Sequence, residues 1–420
     1  MTKKPSYTSV DLFAGAGGLS LGLERAGFEV VYVNELHQAA MDTFLINRPS
    51  SVVQDPTRRS GDIFELTNDE KKLKDLRRLI NGNYGNLDLV VGGPPCQGYS
   101  SRGRRVNIDI NKIDIPSNHL YREMIKVINE LGPKLFLFEN VEGLLRGKWT
   151  ADGVNGEIWE DVYSAFSSAT TMIGGRSIGY HLGWHLVKGH EYGVPQNRPR
   201  VLLVGIRGDL VPKLNQKGRA GGLLPDPIYG APDPVDVLSD LATPGWANGA
   251  DLTYKRRAKS DFQKEVRVTR NGRPLVKGDP LNEQDYTNHS DRVIQRFEKL
   301  IAGEAVPKKL RSGKQHQVVL PKRWPQGIPS ITMTSLPDDC VHYGLPRILT
   351  VREWARFQTF PDWYQFCGPR TTGGRRRAGS PEVGEWDREL PKYTQIGNAV
   401  PVKLGDVVGR HFIKILEGLE

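Results

Sequence analysis

The run Gly92-Gly93-Pro94-Pro95-Cys96-Gln97-Gly98-Tyr99-Ser100 hangs one cysteine on a stiff turn directly after an apolar stretch, Leu87 to Val91. Two consecutive prolines remove two backbone donors and fix their own φ near about −65°, so the turn loses little entropy in holding one shape. At the carboxyl end of a strand in an open α/β sheet, such a turn presents its thiol to whatever binds along that edge. A thiol there is either a nucleophile or a small apolar plug, since free cysteine is among the most buried residue types. Cys96 taken alone does not separate the two.

A second chemistry-bearing stretch, Asp11-Leu12-Phe13-Ala14-Gly15-Ala16-Gly17-Gly18-Leu19-Ser20-Leu21-Gly22, follows the first apolar run. Its glycines let a ligand approach the backbone where a helix begins. A dinucleotide fingerprint places a third glycine at position 20, where this chain has Ser20, so a pyrophosphate fits poorly. Glu35 closes the second apolar run, and its carboxylate suits both hydroxyls of a ribose. These features imply a nucleoside cofactor, with Gly61-Asp62-Ile63 as a polar and apolar edge for an adenine ring.

The elements that must position these groups alternate along the first two hundred residues. Apolar β-like runs occur at Ser9 to Phe13, Val30 to Asn34, Leu87 to Val91, Leu135 to Glu139 and Val201 to Ile206. Between the third and fourth, Met124, Ile125, Val127, Ile128 and Leu131 share one helical face, and Gly132-Pro133 ends that helix. This rhythm predicts a doubly wound α/β sheet. After Arg207 it fails, and the Gly/Pro-rich stretch from Ala220 to Pro234 opens a second, less regular lobe. Helices are expected again at Val351 to Phe357 and Pro401 to Leu419, and a mobile loop at Thr371 to Asp387, which carries Arg375-Arg376-Arg377.

With 420 residues, 38% hydrophobic and 25% charged, the chain is long enough for a large core in two lobes. Cys96, Cys340 and Cys367 are three widely spaced cysteines, with no paired Cys-x-x-Cys and no His/Cys cluster for zinc, so a reducing compartment and no metal are expected. No apolar run approaches the length of a membrane span or a signal core. The net charge of +10 is concentrated: Asp251 to Pro325 holds 18 basic and 9 acidic residues, net +9. That is the footprint of a surface that displaces counterions from phosphates.

Taken in order, these blocks resemble the S-adenosylmethionine-dependent cytosine-C5 DNA methyltransferases: Asp11 to Gly22, Asn34-Glu35, Gly61 to Ile63, Gly93 to Ser100, Asn118 to Leu131, Glu139-Asn140-Val141, Gln196 to Arg200, Arg347 to Asp362 and Gln395 to Pro401. The resemblance covers nearly the whole chain outside roughly residues 210 to 325. It implies a Rossmann-like methyltransferase sheet in a catalytic domain, residues 1–208 plus 390–420. A smaller, irregular target-recognition domain is inserted at 209–349, with a hinge helix and basic loop at 350–389. By the same resemblance Cys96 is the nucleophile, Glu139 engages N3 and the exocyclic amine of the base, Arg200 bonds its O2, and Arg198 steadies the Cys96 loop or the flipped nucleotide. S-adenosylmethionine falls to Phe13, Ala14, Gly15, Gly17, Gly18, Leu19, Glu35, Leu36, Asp62, Ile63, Pro94 and Leu120, with Asn398 and Val400 closing the pocket. Leu36 stands where many relatives place a tryptophan over adenine.

DNA contacts are expected from Gln97 and from Ser100, Arg102, Arg104 and Arg105, a glycine-hinged basic loop beside the nucleophile. The inserted domain offers Lys255, Arg256, Arg257, Lys308, Lys309, Lys322 and Arg323 to phosphates or guanine edges. A tRNA cytosine methyltransferase is the nearest alternative. Such relatives carry a Cys-Phe-Thr element, whereas Cys340 is followed here by Val341-His342 and Cys367 by Gly368-Pro369. A catalytically silent DNA-binding regulator is disfavoured by the intact Cys96 and Glu139, and a nucleotide-dependent oxidoreductase by Ser20. The expected setting is a monomer in the bacterial cytoplasm acting on double-stranded DNA, with a restriction endonuclease of the same specificity as a partner.

Overall fold

The computed structural model describes residues 7–95, 116–150, 152–214, 222–243, 249–311, 317–371 and 390–419. By internal contacts the chain divides into two compact units. The first contains the residues up to Lys188, Pro199–Pro227 and those from Leu404 onward. Its chain order is β1 (Tyr7–Leu12), α1 (Gly18–Ala26), β2 (Phe28–Asn34), α2 (Gln38–Ile46), β3 (Arg59–Ser60), α3 (Ile63–Thr67), α4 (Glu70–Tyr84) and β4 (Leu89–Gly92). There follow α5 (Leu120–Leu131), β5 (Leu135–Val141), α6 (Glu157–Ser167), β6 (Thr170–Ile173), β7 (Arg176–Lys188) and β8 (Pro199–Arg207).

The eight strands form one sheet in the order β3-β2-β1-β4-β5-β8-β7-β6. The first five are parallel, and β8, β7 and β6 continue antiparallel. The chain builds outward from β1 to β3 and then crosses to β4 on the other side of β1. That reversal opens a crevice at the carboxyl ends of β1 and β4, where ligands bind in such sheets. Every residue of β1 and β4 is buried, as expected for parallel strands covered on both faces. The apolar face of α5 supplies Met124, Val127, Ile128 and Leu131 to a core shared with Val10, Val90 and Phe138. Gly132 ends the helix in the left-handed region (φ 60°), its N–H bonded to the Ile128 carbonyl.

The helix Val402–Glu417 crosses closely over α1. A Cβ on Gly405 would lie 2.9 Å from the Leu19 carbonyl oxygen, and one on Gly409 2.7 Å from the Ala26 Cβ. These two glycines bring the last helix down onto the helix that begins at Gly18.

All five apolar runs of the first two hundred residues are strands, and the helix from Leu120 to Leu131 has the expected ends. The β6–β7 hairpin lies outside those expectations. Its strands, at the antiparallel end of the sheet, are mostly exposed or partly buried, so no continuous apolar run marks them. Its one local signal is Gly174-Gly175, both at positive φ in the turn.

The second unit, Gly189–Arg198 with Ile228–Lys403, is irregular: short helices and a two-stranded parallel sheet, Val318–Val319 beside Cys340–Val341. It extends beyond the expected 209–349 insert, because hydrogen bonds from buried side chains join its distant segments. Gln196 donates to the Phe357 carbonyl at 2.6 Å, and Gln358 donates to the Ile396 carbonyl at 2.7 Å. Its interior combines apolar clusters with a buried ion-pair network. Arg356 pairs with Asp240 and Asp362, each at 2.6 Å, and Arg267 pairs with Asp240 at 2.9 Å while its guanidinium lies 3.8 Å over the Tyr254 ring. Arg347 grips Glu353 with two nitrogens, both at 2.7 Å. Among the described residues no helix is long and apolar enough to cross a membrane.

Candidate active site

The glycine turn after β1 holds three residues at positive φ: Phe13 at 58°, Gly15 at 57° and Gly17 at 74°. For Phe13 this is a strained conformation, costing about 1–3 kcal/mol. It is held by backbone bonds from the Ala14 N–H to the Asn34 carbonyl and from the Gly17 N–H to the Ala14 carbonyl, both 3.0 Å. Glu35, at the carboxyl end of β2, turns its carboxylate back over this turn. One oxygen accepts the Gly15 N–H and the other the His37 N–H, each at 2.8 Å. Burial raises the Glu35 pKa, and those two N–H groups oppose the rise. Ser20 donates a hydrogen bond to Asp11 of β1, whose carboxyl burial pushes up to about 7. Ser20, read from the sequence as a departure from a dinucleotide fingerprint, is thus the partner of a buried acid.

A Cβ on Gly15 or on Gly61 would meet no atom within 4 Å, so space is open beside both. Glu35 stands between them in the chain path, its N–H bonded to the Ser60 carbonyl. Asp62 caps α3 by accepting the Phe64 N–H at 2.9 Å, and Ile63 is buried. Leu36 is 66% exposed. Phe13 and Ala14 are half-buried, Gly18 and Leu19 are buried at the start of α1, and Leu120 is half-buried at the start of α5. An open, glycine-floored crevice with one buried carboxylate for a diol and an apolar residue beside Asp62 fits the nucleoside and amino-acid portions of S-adenosylmethionine.

On the other side of the switch point, β5 carries Glu139 at its carboxyl end and β8 carries Arg200. Antiparallel register sets Val141 opposite Arg200 and Glu139 opposite Leu202. The Arg200 Nε reaches Glu139 Oε1 at 2.7 Å, with both side chains 11% exposed. Burial pulls the Arg200 pKa down, against the attraction of Glu139. Gly93 passes directly beside the carboxylate: a Cβ there would lie 3.0 Å from Glu139 Oε2. The chain leading to Cys96 therefore runs close against Glu139, and a side chain at position 93 would press on its carboxylate. Asn140, which carries no assigned role in the sequence reading, donates to the Pro94 carbonyl at 3.1 Å and accepts the Val141 N–H at 2.9 Å. Pro94, Asn118, Tyr121, Phe138 and Asn140 line a small cavity at this edge.

Cys96, Gln97, Ser100, Arg102, Arg104 and Arg105 lie outside the described residues. Arg198, Asn398 and Val400 belong to the second unit. There Arg198 is buried and donates to the Met333 carbonyl at 3.0 Å and to the Gly397 carbonyl at 2.7 Å. Asn398, at the end of the helix Lys392–Asn398, is exposed, and Val400 is half-buried. Lys255, Arg256, Arg257, Lys308, Lys309, Lys322 and Arg323 are all exposed, whereas Arg267, from the same basic segment, is consumed by the buried ion network.

A family model described as C-5 cytosine-specific DNA methylase matches residues 7–414. The chain is 29% identical over 414 residues to the Type II methyltransferase M.XorII of Xanthomonas oryzae, a match covering 97% of this chain and 84% of that one. It is 30% identical over 417 residues to the Type II methyltransferase M.PspPI of a Psychrobacter strain, covering 98% and 80%. Among solved structures, a prophage-encoded protein of E. coli described as a DNA modification methyltransferase aligns with a TM-score of 0.64 at 24% identity, over 98% of this chain and 100% of that one. At that identity the likeness speaks for the fold.

Proposed function

The chain belongs to the C-5 cytosine-specific DNA methylase family, and from that membership we propose that it methylates one cytosine within a specific double-stranded sequence as the modification half of a restriction system. The observation that carries this reading is the Glu139–Arg200 pair at the carboxyl edge of β5, with the chain leading to Cys96 pressed against it at Gly93. The match to Type II methyltransferases supports the restriction setting. A monomer in the bacterial cytoplasm, partnered by an endonuclease of the same specificity, is the arrangement this reading expects.

S-adenosylmethionine supplies an electrophilic methyl group. Phe13 to Leu19, Glu35, Asp62 and Ile63 would hold it along the open crevice, with Pro94 and Leu120 at its borders. Cytosine C5 is too electron-poor to take a methyl group unaided. The Cys96 thiolate adds to C6, and Glu139 protonates or hydrogen-bonds N3, so the electron pair is delivered to C5 as an enamine. After C5 has been methylated, loss of its proton to a base expels the thiolate and restores the aromatic ring. Arg200, already paired with Glu139, has further N–H groups for the base O2, while Arg198 braces the second unit through the Met333 and Gly397 carbonyls. The base must leave the duplex to reach this edge, at about a few kcal/mol. Phosphate contacts from the exposed cations of the second unit and from the basic segment Ser100 to Arg105 would offset that cost.

With a tritiated methyl donor, label should enter duplex DNA and not tRNA, and bisulfite sequencing of plasmid from expressing cells should show one modified motif. A duplex carrying 5-fluorocytosine at that motif should trap a stable adduct on Cys96, because the leaving proton is replaced. Label on tRNA alone, or no adduct, would overturn the proposal.

A further inference from the structure

We propose that Arg48 is the positioning residue that holds the cofactor turn in its bound shape and so sets the affinity for S-adenosylmethionine. The inference rests on the reading of Phe13 to Leu19 as the cofactor site. No motif marks Arg48; it follows α2 in the plain sequence Asn47-Arg48-Pro49. Its side chain is 4% exposed and its guanidinium ties three elements together. Nε donates to Glu24 Oε1 in α1 at 2.6 Å, one terminal nitrogen donates to the Phe44 carbonyl in α2 at 3.1 Å, and the other donates to the Gly17 carbonyl at 3.2 Å. The same group lies 3.8 Å over the Phe44 ring.

Gly17 is where the turn becomes a helix. Its φ of 74° is open to glycine at little cost, and for that reason its flanking peptides are free to reorient unless something pins them. The Gly17 carbonyl receives both the Leu21 N–H, at 2.9 Å, and the Arg48 guanidinium. Packing closes the position from the same side: a Cβ on Gly17 would lie 2.7 Å from Phe44 Cδ2 and 3.0 Å from an Arg48 nitrogen. The turn is thereby held from behind while the space beside Gly15 stays open. A turn ordered before binding spares the ligand the entropy of ordering it, which appears as affinity. Lysine cannot replace this function, since a single ammonium lacks the planar fork that spans two carbonyls and a carboxylate.

The test uses the full chain, titrated calorimetrically with S-adenosylhomocysteine and assayed for methylation of duplex DNA. Arg48→Met should weaken binding about tenfold, equivalent to about 1.4 kcal/mol, and raise KM for S-adenosylmethionine to match, with kcat at saturating cofactor changed less than threefold. Arg48→Lys, which keeps a charge opposite Glu24, should stay within about twofold of Arg48→Met, and it decides the matter alone if Arg48→Met does not fold. Wild-type affinity in Arg48→Lys, or a fall in kcat at unchanged KM, would overturn the role of Arg48. Glu35→Ala separates the two readings. If it binds cofactor as the wild type does, the turn is not the cofactor site. If it loses binding while both Arg48 variants keep it, only the Arg48 proposal fails.

Discussion

Glu139→Gln is the perturbation that separates what the Glu139–Arg200 pair does for the fold from what it does for chemistry. Unit charges about 4 Å apart at an effective dielectric near 20 attract by about 4 kcal/mol, and a 2.7 Å contact between two side chains that are each 11% exposed belongs to that regime. Removing one partner of a buried pair costs about 3–5 kcal/mol, because the other charge is left without compensation. Glutamine retains a carbonyl that accepts from Arg200 Nε, so the expected loss is smaller, about 2–3 kcal/mol. Hydrogen exchange of peptides covering β5 and β8 reads this locally, without requiring the two units to unfold together. Adding Arg200→Met should recover at least half of the loss, since no buried charge then remains. Methylation should not recover: both variants should run more than about 100-fold below wild type, the usual share of a general acid. Additive stability costs in the double variant would refute the coupling, and activity within tenfold of wild type in Glu139→Gln would refute the catalytic role.

Burial holds the Asp11 carboxyl near 7, against the Ser20 hydroxyl and the Arg48 charge. The folded chain thus keeps a proton that the unfolded chain releases between about pH 4 and pH 7, and stability falls as pH rises through that window. Relative to Asp11→Asn, the wild type should lose about 3 kcal/mol between pH 5 and pH 8, measured as exchange protection of β1 amides; a constant gap would show that Asp11 ionises normally. Asn140→Ala frees the Pro94 carbonyl and loosens the turn before Cys96. It should lower kcat by roughly 10- to 100-fold with S-adenosylhomocysteine affinity unchanged by calorimetry, and an unchanged kcat would remove Asn140 from the positioning machinery. Cys96→Ala should abolish methylation while DNA binding by gel shift persists, and turnover near the wild-type rate would exclude the covalent route.

The strands were legible because parallel strands buried on both faces read as unbroken apolar runs, and α5 because its apolar face and Gly132-Pro133 act within a few residues. Turn chemistry was equally local: the glycines after β1, at positive φ, announce their turn without help from the rest of the chain. The family's chemistry follows from these blocks in order. Tertiary structure alone decided which charges meet. Glu139 finds Arg200 only because β8 runs antiparallel to β5 in one register, and a slip of one residue would turn the arginine to the other face. Arg267 lies in the sequence's basic segment, yet the fold buries it against Asp240, as it buries Arg347 against Glu353 and Arg356 against Asp240 and Asp362. Arg48 and Asn140 belong to the same class, for their partners at Gly17, Glu24 and Pro94 lie between 24 and 46 residues away. Periodicity and turn preference are properties of short windows, whereas pairings of this kind are set by strand register and helix docking across the chain.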